Sequence, residues 1–499
     1  MAATGADAPV DIGRYEAAAQ PYVDRVLALG AKQYSDLIST VVEDGKDKTL
    51  QWVDLVMAGG GMLGIAHVGA TYVFEKAGLR FHNIGGASAG AINAALVVTK
   101  RGEKPDAPSS LNTLRLMANF DFRKFQDDKD SKALWDFAQQ AMADGKLSNW
   151  EKAQGAWQGL RQKGHLQEVW NRLGLHPGDF FESWIKGQMS DGGLATVRAL
   201  NQRLKLDSID SLKIRDGAAS ATTLDDVRQG KMVLIASDIT TQTKAEFPEH
   251  AKLYWDNPED VHPGIFVRAS MSVPGFFTPV TITKLPSGPA AEANWQKVGF
   301  SKAAADKAWA EAAAAKAAKL AAAHKPVEAP ESLKVHLVDG GILSNFPINA
   351  FHLPSVPLLP TFGVRFGRNR ETHSGYADST TPLDFAMSLF ESSRHILDRD
   401  FINKNPDYTQ LITNIDDTGF GWLDFNLPND RKVALFAAGA KAAAEFLERF
   451  DWAKYKDTRK FLLDARTTSK AAPGAPMAQS AAAPAAPITP ERKKAKVAT

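Results

Sequence analysis

Between Gln51 and Met57 the apolar residues Trp52, Val53, Leu55, Val56 and Met57 are interrupted only by Asp54. A short, nearly continuous apolar run that stops at glycines predicts a strand buried on both faces. It ends in Gly59-Gly60-Gly61. The pattern then predicts a helix over Ile65–Lys76, a second buried strand over Phe81–Gly85, and a helix over Ala89–Lys100, which is rich in Ala, Ile, Leu and Val. Strand, loop, helix, strand, turn, helix is the beginning of an α/β fold: a mostly parallel central sheet flanked by helices. Further strands are predicted at Lys231–Ser237, at Lys334–Val338 and within Leu358–Phe366. Phe266–Ser272 leads into the turn Val273-Pro274-Gly275, and residues 101 to 230 read as mostly helical.

The flanks differ in texture. Residues 1–50 read as a helical leader, with Tyr22, Val23, Val26, Leu27 and Leu29 at roughly helical spacing. Residues 51–455 form the expected catalytic domain, carrying an insertion at 285–333. Within it, 302–325 is dominated by alanine and lysine and predicts a semi-rigid helix with a weak apolar face of Trp309 and Leu320. Residues 456–499 are expected to be a largely disordered tail, Ala/Pro/Ser-rich from Thr467 onward. The run Arg492, Lys493, Lys494, Lys496 is read as solvated.

Composition removes several classes of function. No cysteine among 499 residues excludes disulfides, thiol catalysis and thiolate metal sites. A net charge of +2 provides no drive toward nucleic acid, and none is expected as a partner. The N-terminus lacks a basic region followed by an apolar run, so no Sec signal is read. No stretch approaches the roughly 18 apolar residues of a membrane span. The expected location is cytoplasmic or at a membrane periphery, with a non-Sec export route left open.

Chemistry concentrates in three places. Gly86-Ala87-Ser88-Ala89-Gly90 is a G-x-S-x-G between a predicted strand and helix, the context of a nucleophile elbow. Gly59-Gly60-Gly61-Met62-Leu63-Gly64 offers backbone N–H groups clear of side chains, as an oxyanion hole needs. Its G-x-G-x-x-G spacing also fits a dinucleotide turn, but the next strand runs into Ile84-Gly85-Gly86-Ala87-Ser88 instead of ending in a ribose-binding acid. A phosphate-binding P-loop would need a following Lys-Ser or Lys-Thr, which is missing. Asp339-Gly340-Gly341 closes a strand of the same sheet, where α/β sites form.

In this order the three motifs resemble those of the patatin-like phospholipases, a family of lipid acyl hydrolases. Ala269-Ser270-Met271-Ser272-Val273-Pro274-Gly275-Phe276-Phe277 is similar to a further family segment, as are Asn345 and Pro347 after the Asp-Gly-Gly and Leu423-Asp424-Phe425 before a late helix. The resemblance spans about residues 50–450. It implies a Ser88–Asp339 dyad without histidine, an oxyanion loop of Gly59, Gly60, Gly61 and Met62, an elbow of Gly86, Ala87, Ala89 and Gly90, and supporting Gly64, Gly340 and Gly341. It implies no metal and no cofactor. Leu63 stands where many members carry Arg or Lys; the backbone chemistry survives this, and any contact made by the cation does not. The implied substrate is a phospholipid or other acyl lipid reached by peripheral membrane contact, and the extra segments are compatible with a protein activator. The rivals are a Ser–Asp–His triad using His352, His373 or His395, and a lipid-binding pseudoenzyme or scaffold. Of the adjacent pair Phe276 and Phe277, one is expected either to touch the membrane or to join the core with its neighbour.

Overall fold

The computed structural model describes residues 10–128, 171–322, 333–367 and 396–471, apart from residues 219, 221 and 423. Its strands are β1 (Leu37–Glu43), β2 (Lys46–Met57), β3 (Leu79–Ala87), β4 (Gly174–His176), β5 (Lys213–Ile214), β6 (Met232–Asp238), β7 (Thr243–Phe247), β8 (Gly275–Phe277), β9 (Val280–Ile282), β10 (Val335–Asp339), β11 (Thr361–Phe366) and β12 (Ile412–Ile415). The run β12, β11, β2, β3, β6 is parallel throughout. Strands β1, β7, β9 and β10 join antiparallel to their neighbours. Strands β4 and β8 pair separately.

The parallel strands read as apolar runs because both faces are covered. The interrupting Asp54 is buried but satisfied: its Oδ1 accepts the Asn83 N–H at 3.1 Å, with His82 Nδ1 at 3.4 Å. Helices α2 (Gly64–Lys76) and α3 (Ala89–Lys100) follow β2 and β3 as the pattern predicts. The late helix Asn429–Arg449 packs along α2 and against α1 (Ile12–Leu27).

The leader is only partly helical. Helix α1 is joined to the body by Tyr15 edge-on to Phe436 at 5.6 Å and by the Arg25–Glu448 ion pair at 2.6 Å. After it the chain forms β1 and returns as the first half of β2, so residues 37–50 extend the sheet. Asp44 and Gly45 turn this hairpin with φ of 51° and 72°, the geometry of a type I′ turn.

In the insertion, Lys302–Ala322 is helical as predicted, and Trp309 is 41% exposed. A preceding helix, Pro289–Lys297, is docked: Trp295 is fully buried, edge-on to Tyr254 at 5.4 Å. At the C-terminus the helix Trp452–Ala471 continues past residue 456, with Trp452, Tyr455 and Arg459 buried. That part of the expected tail is therefore folded against the body, and residues 472–499 lie outside the described residues. Of the region 101–230 predicted to be mostly helical, residues 129–170 lie outside them as well.

Candidate active site

The register of β6 brings the serine and aspartate motifs together. Strand β7 lies along one edge of β6, from Leu234 to Asp238. On the other edge Ala87 stands opposite Ile235, and Asp339 opposite Ala236. Strand β3 runs parallel to β6 and β10 antiparallel to it, so their C-terminal ends meet head-on along a single edge. Adjacent strand positions are about 3.3 Å apart, so Ser88, the residue after Ala87, arrives where β10 delivers Asp339. Both are buried, at 5% and 2% exposure.

Ser88 sits at φ 50° and ψ −120°, a conformation that side chains rarely adopt. The turn holds because its flanks leave no alternative. A Cβ at Gly86 would lie 2.6 Å from the Met57 carbonyl oxygen, and one at Gly90 only 2.0 Å from it. The Ser88 N–H donates to Ser270 Oγ at 2.9 Å, and α3 begins at Ala89 with its N-terminal dipole toward Ser88.

The hydrogen bonds of the glycine loop divide its N–H groups. Gly59 N–H donates to the Asn345 carbonyl at 2.9 Å, and Met62 N–H to the Trp422 carbonyl at 2.8 Å. Among the described residues, the N–H groups of Gly60 and Gly61 have no acceptor. Of the four loop residues expected as oxyanion donors, Gly59 and Met62 thus have their N–H groups engaged within the fold. Gly59 lies against Ser88, since a Cβ there would be 3.1 Å from Ser88 Cβ. Leu63 is buried, packing where a cation would need a partner.

Asp339 is held from two sides. Its Oδ1 accepts the Gly341 N–H at 2.7 Å, and its own N–H donates to the Ser272 carbonyl at 2.8 Å. Gly340 packs on β6, where a Cβ would meet the Ile235 oxygen at 2.1 Å. The helix Gly264–Ser270 and the turn after it therefore support both motifs, through Ser270 and Ser272. Arg268, on this helix, is buried and donates to the carbonyls of Pro177 (2.6 Å), Gly178 (3.1 Å) and Thr278 (2.8 Å) and to Ser272 Oγ. Burial lowers its pKa from the usual arginine value.

An apolar cavity opens beside Ser88. Met117, Phe122, Phe125, Trp184, Phe277 and Phe425 form much of its wall. Phe276 and Phe277 are each 2% exposed, so of the two readings both join the core. Their alternation in β8 is real, but both faces are covered. Phe277 lines the cavity, while Phe276 stacks on Phe425 at 5.2 Å.

His352 is engaged elsewhere. Its Nδ1 lies 2.9 Å from Tyr408 Oη and its Nε2 3.4 Å from an Arg459 nitrogen, and Arg459 also pairs with buried Asp407 at 3.2 Å. His373 and His395 lie outside the described residues. Among the described residues no group of His, Asp and Glu is placed to hold a metal. His352→Ala is expected to keep esterase turnover within about twofold while lowering stability by roughly 1–2 kcal/mol, as lost buried hydrogen bonds do. Turnover and thermal melting of the same preparation check this.

Ser270, Asn345, Trp422 and Asp398, a buried acid under the Asn345 loop, were not assigned roles by sequence reasoning. Ser270 and Asn345 lie in stretches that carried the family resemblance, whereas Trp422 and Asp398 reach the loops only through the fold.

Residues 55–352 match the family described as patatin-like phospholipase, so the chain belongs to that family. An uncharacterized protein of Bacillus subtilis, YqhO, is 24% identical over 401 residues, covering 80% of this chain and 100% of its own. The structure of VipD from Legionella pneumophila aligns with a TM-score of 0.36 at 12% identity, over 84% of this chain and 71% of that one. Among the described residues no helix is long and apolar enough to cross a membrane.

Proposed function

We propose that this protein is a serine acyl hydrolase that cleaves carboxylic esters of membrane lipids. The observation carrying this reading is the shared edge of β6, which sets the end of β3 against the end of β10. Ser88 attacks the ester carbonyl, and Asp339 takes its proton without an intervening histidine. The Gly60 and Gly61 N–H groups receive the negative charge that develops on the carbonyl oxygen. Asp339 passes that proton to the departing alkoxide, then takes one from the water that attacks the acyl-enzyme and returns it to Ser88 Oγ as the acid leaves. The acyl chain lies in the cavity, whose wall is almost entirely apolar. Substrate is drawn from a membrane surface by peripheral contact, and a protein activator is tested by adding cell extract to the assay.

The deciding experiment combines a fluorophosphonate probe with a vesicle assay. Labelling that maps to Ser88, together with fatty acid release from phospholipid vesicles, supports the reading. A folded protein that binds vesicles but takes no label would be a lipid-binding pseudoenzyme. The cavity wall also sets chain length. Trp184→Ala is expected to raise kcat/KM for long-chain over short-chain p-nitrophenyl esters by about tenfold, the scale on which pockets discriminate methylenes. An unchanged ratio would place the acyl chain elsewhere.

A further inference from the structure

The loop that follows Asp339-Gly340-Gly341 is held by a carboxylate from beyond the family-matched segment. The helix Ile396–Lys404 carries Asp398, which is 6% exposed. Its Oδ1 accepts the Ser344 hydroxyl at 2.7 Å, and its Oδ2 accepts the Phe346 N–H at 2.7 Å. Between these two anchors, Asn345 grips Gly59 twice. The Asn345 carbonyl accepts the Gly59 N–H at 2.9 Å, and Asn345 Nδ2 donates to the Gly59 carbonyl at 3.3 Å. Gly59 leads directly into Gly60 and Gly61.

We propose that Asp398 is a positioning residue for the oxyanion loop: its ionised carboxylate fixes Ser344 and Phe346, so that Asn345 holds Gly59 and sets the direction of the next two N–H groups. This rests on the reading of that loop as an oxyanion hole. Misplaced donors lose most of their value in a transition state, so a remote anchor of this kind acts on kcat more than on KM.

The carboxylate gives the anchor a pH dependence. Burial pushes the Asp398 carboxyl up to about 6, against the Ser344 hydroxyl, the Phe346 N–H and the charge of Lys244 on β7, all of which favour ionisation. Lys244 itself pairs with Glu246 at 2.7 Å; on the helix of Asp398, Asp400 pairs with Lys404 at 2.6 Å. Below pH 6 the carboxyl is neutral, and its bonds to Ser344 and Phe346 lose their charge assistance. Activity therefore falls as pH drops through that value. The stability contribution has the opposite sign. A carboxyl whose folded pKa is raised binds its proton more readily in the folded state, so Asp398 favours folding as pH falls toward the unfolded value of about 4. An activity limb near 6 is thus separable from acid unfolding.

The test uses the full chain, p-nitrophenyl butyrate as probe, and kcat and KM measured between about pH 5 and 8. Asp398→Asn keeps the shape and removes the titration. It is expected to lower kcat at pH 8 by about tenfold, leave KM within about twofold, and abolish the limb near 6 seen in the unsubstituted protein. Ser344→Ala, which removes one anchor but keeps the carboxylate, is expected to lower kcat by about threefold and retain the limb. The limb that counts is the one present in the unsubstituted protein and in Ser344→Ala and absent from Asp398→Asn; a limb shared by all three belongs to another group. An unsubstituted protein without the limb, or an Asp398→Asn variant that keeps it or keeps full kcat per folded molecule, would overturn the proposal. If Asp398→Asn does not fold, loss of the limb in Ser344→Ala overturns it and retention with lowered kcat supports it. Turnover no higher than that of Ser88→Ala would instead refute the hydrolase reading itself.

Discussion

Ser88→Ala and Asp339→Asn are each expected to lower kcat on p-nitrophenyl butyrate by at least about 10⁴-fold, the scale on which nucleophile and base substitutions act in serine hydrolases. The fold should survive both changes. Alanine keeps the Cβ that already sits at φ 50°, and the backbone bond to Ser270 Oγ does not involve the serine hydroxyl. Asparagine keeps an oxygen for the Gly341 N–H, which Asp339 Oδ1 now accepts at 2.7 Å, but an amide cannot take the serine proton. In the proposed mechanism the two residues act in one proton transfer, so the double variant should be no slower than the worse single one. Kinetics and thermal melting on the same samples decide the matter. Substantial turnover by Asp339→Asn at unchanged folded content would mean that another base serves Ser88.

The sheet was legible where burial is two-sided and the signal is a bare apolar run. Strands β3, β6 and β10 overlap the runs that announce them, and α3 matches its predicted span. The first half of β2 was not legible, because Lys46–Leu50 is largely polar and pairs with β1 as an exposed antiparallel ribbon. Yet the hairpin had a signal: β-branched Ile38, Thr40, Val41 and Val42 run into Asp44-Gly45, a strong two-residue turn pair. It was hidden by the helical spacing just upstream. Ser88 and Asp339 were legible as candidates because each lies inside a contiguous motif, and the fold sets the two strand ends that carry them against each other. The partition of the loop N–H groups was not. It depends on the carbonyls of Asn345 and Trp422, which only the fold brings to the glycine loop. Asp398 was invisible for the same reason. For Phe276 and Phe277 the sequence left core and membrane readings open, because alternation tells which way a side chain points and not what covers each face.

That partition makes a sharp demand on neighbouring residues. Gly61→Ala is expected to lower kcat by about 10²–10³-fold, the effect of losing one oxyanion donor. Gly61 sits at φ +53°, and a Cβ there would lie 2.1 Å from the Trp422 carbonyl oxygen, a backbone atom that cannot rotate aside. The loop must move, and the Gly60 and Gly61 N–H groups move with it. At Gly60 the added carbon would meet the Phe366 ring at 2.4 Å, a side chain that can shift, so Gly60→Ala should be milder. Met62→Ala supplies the contrast. Its N–H is already committed to Trp422 and its backbone needs no special conformation, so kcat should fall by less than about tenfold, through lost packing at the cavity wall. All three variants keep Ser88 and Asp339, so fluorophosphonate labelling at saturating probe reports whether the nucleophile remains. A kcat for Met62→Ala as low as that for Gly61→Ala, with labelling intact in both, would mean that packing of the Met62 side chain, and not a Cβ forced against Trp422, sets the position of the loop.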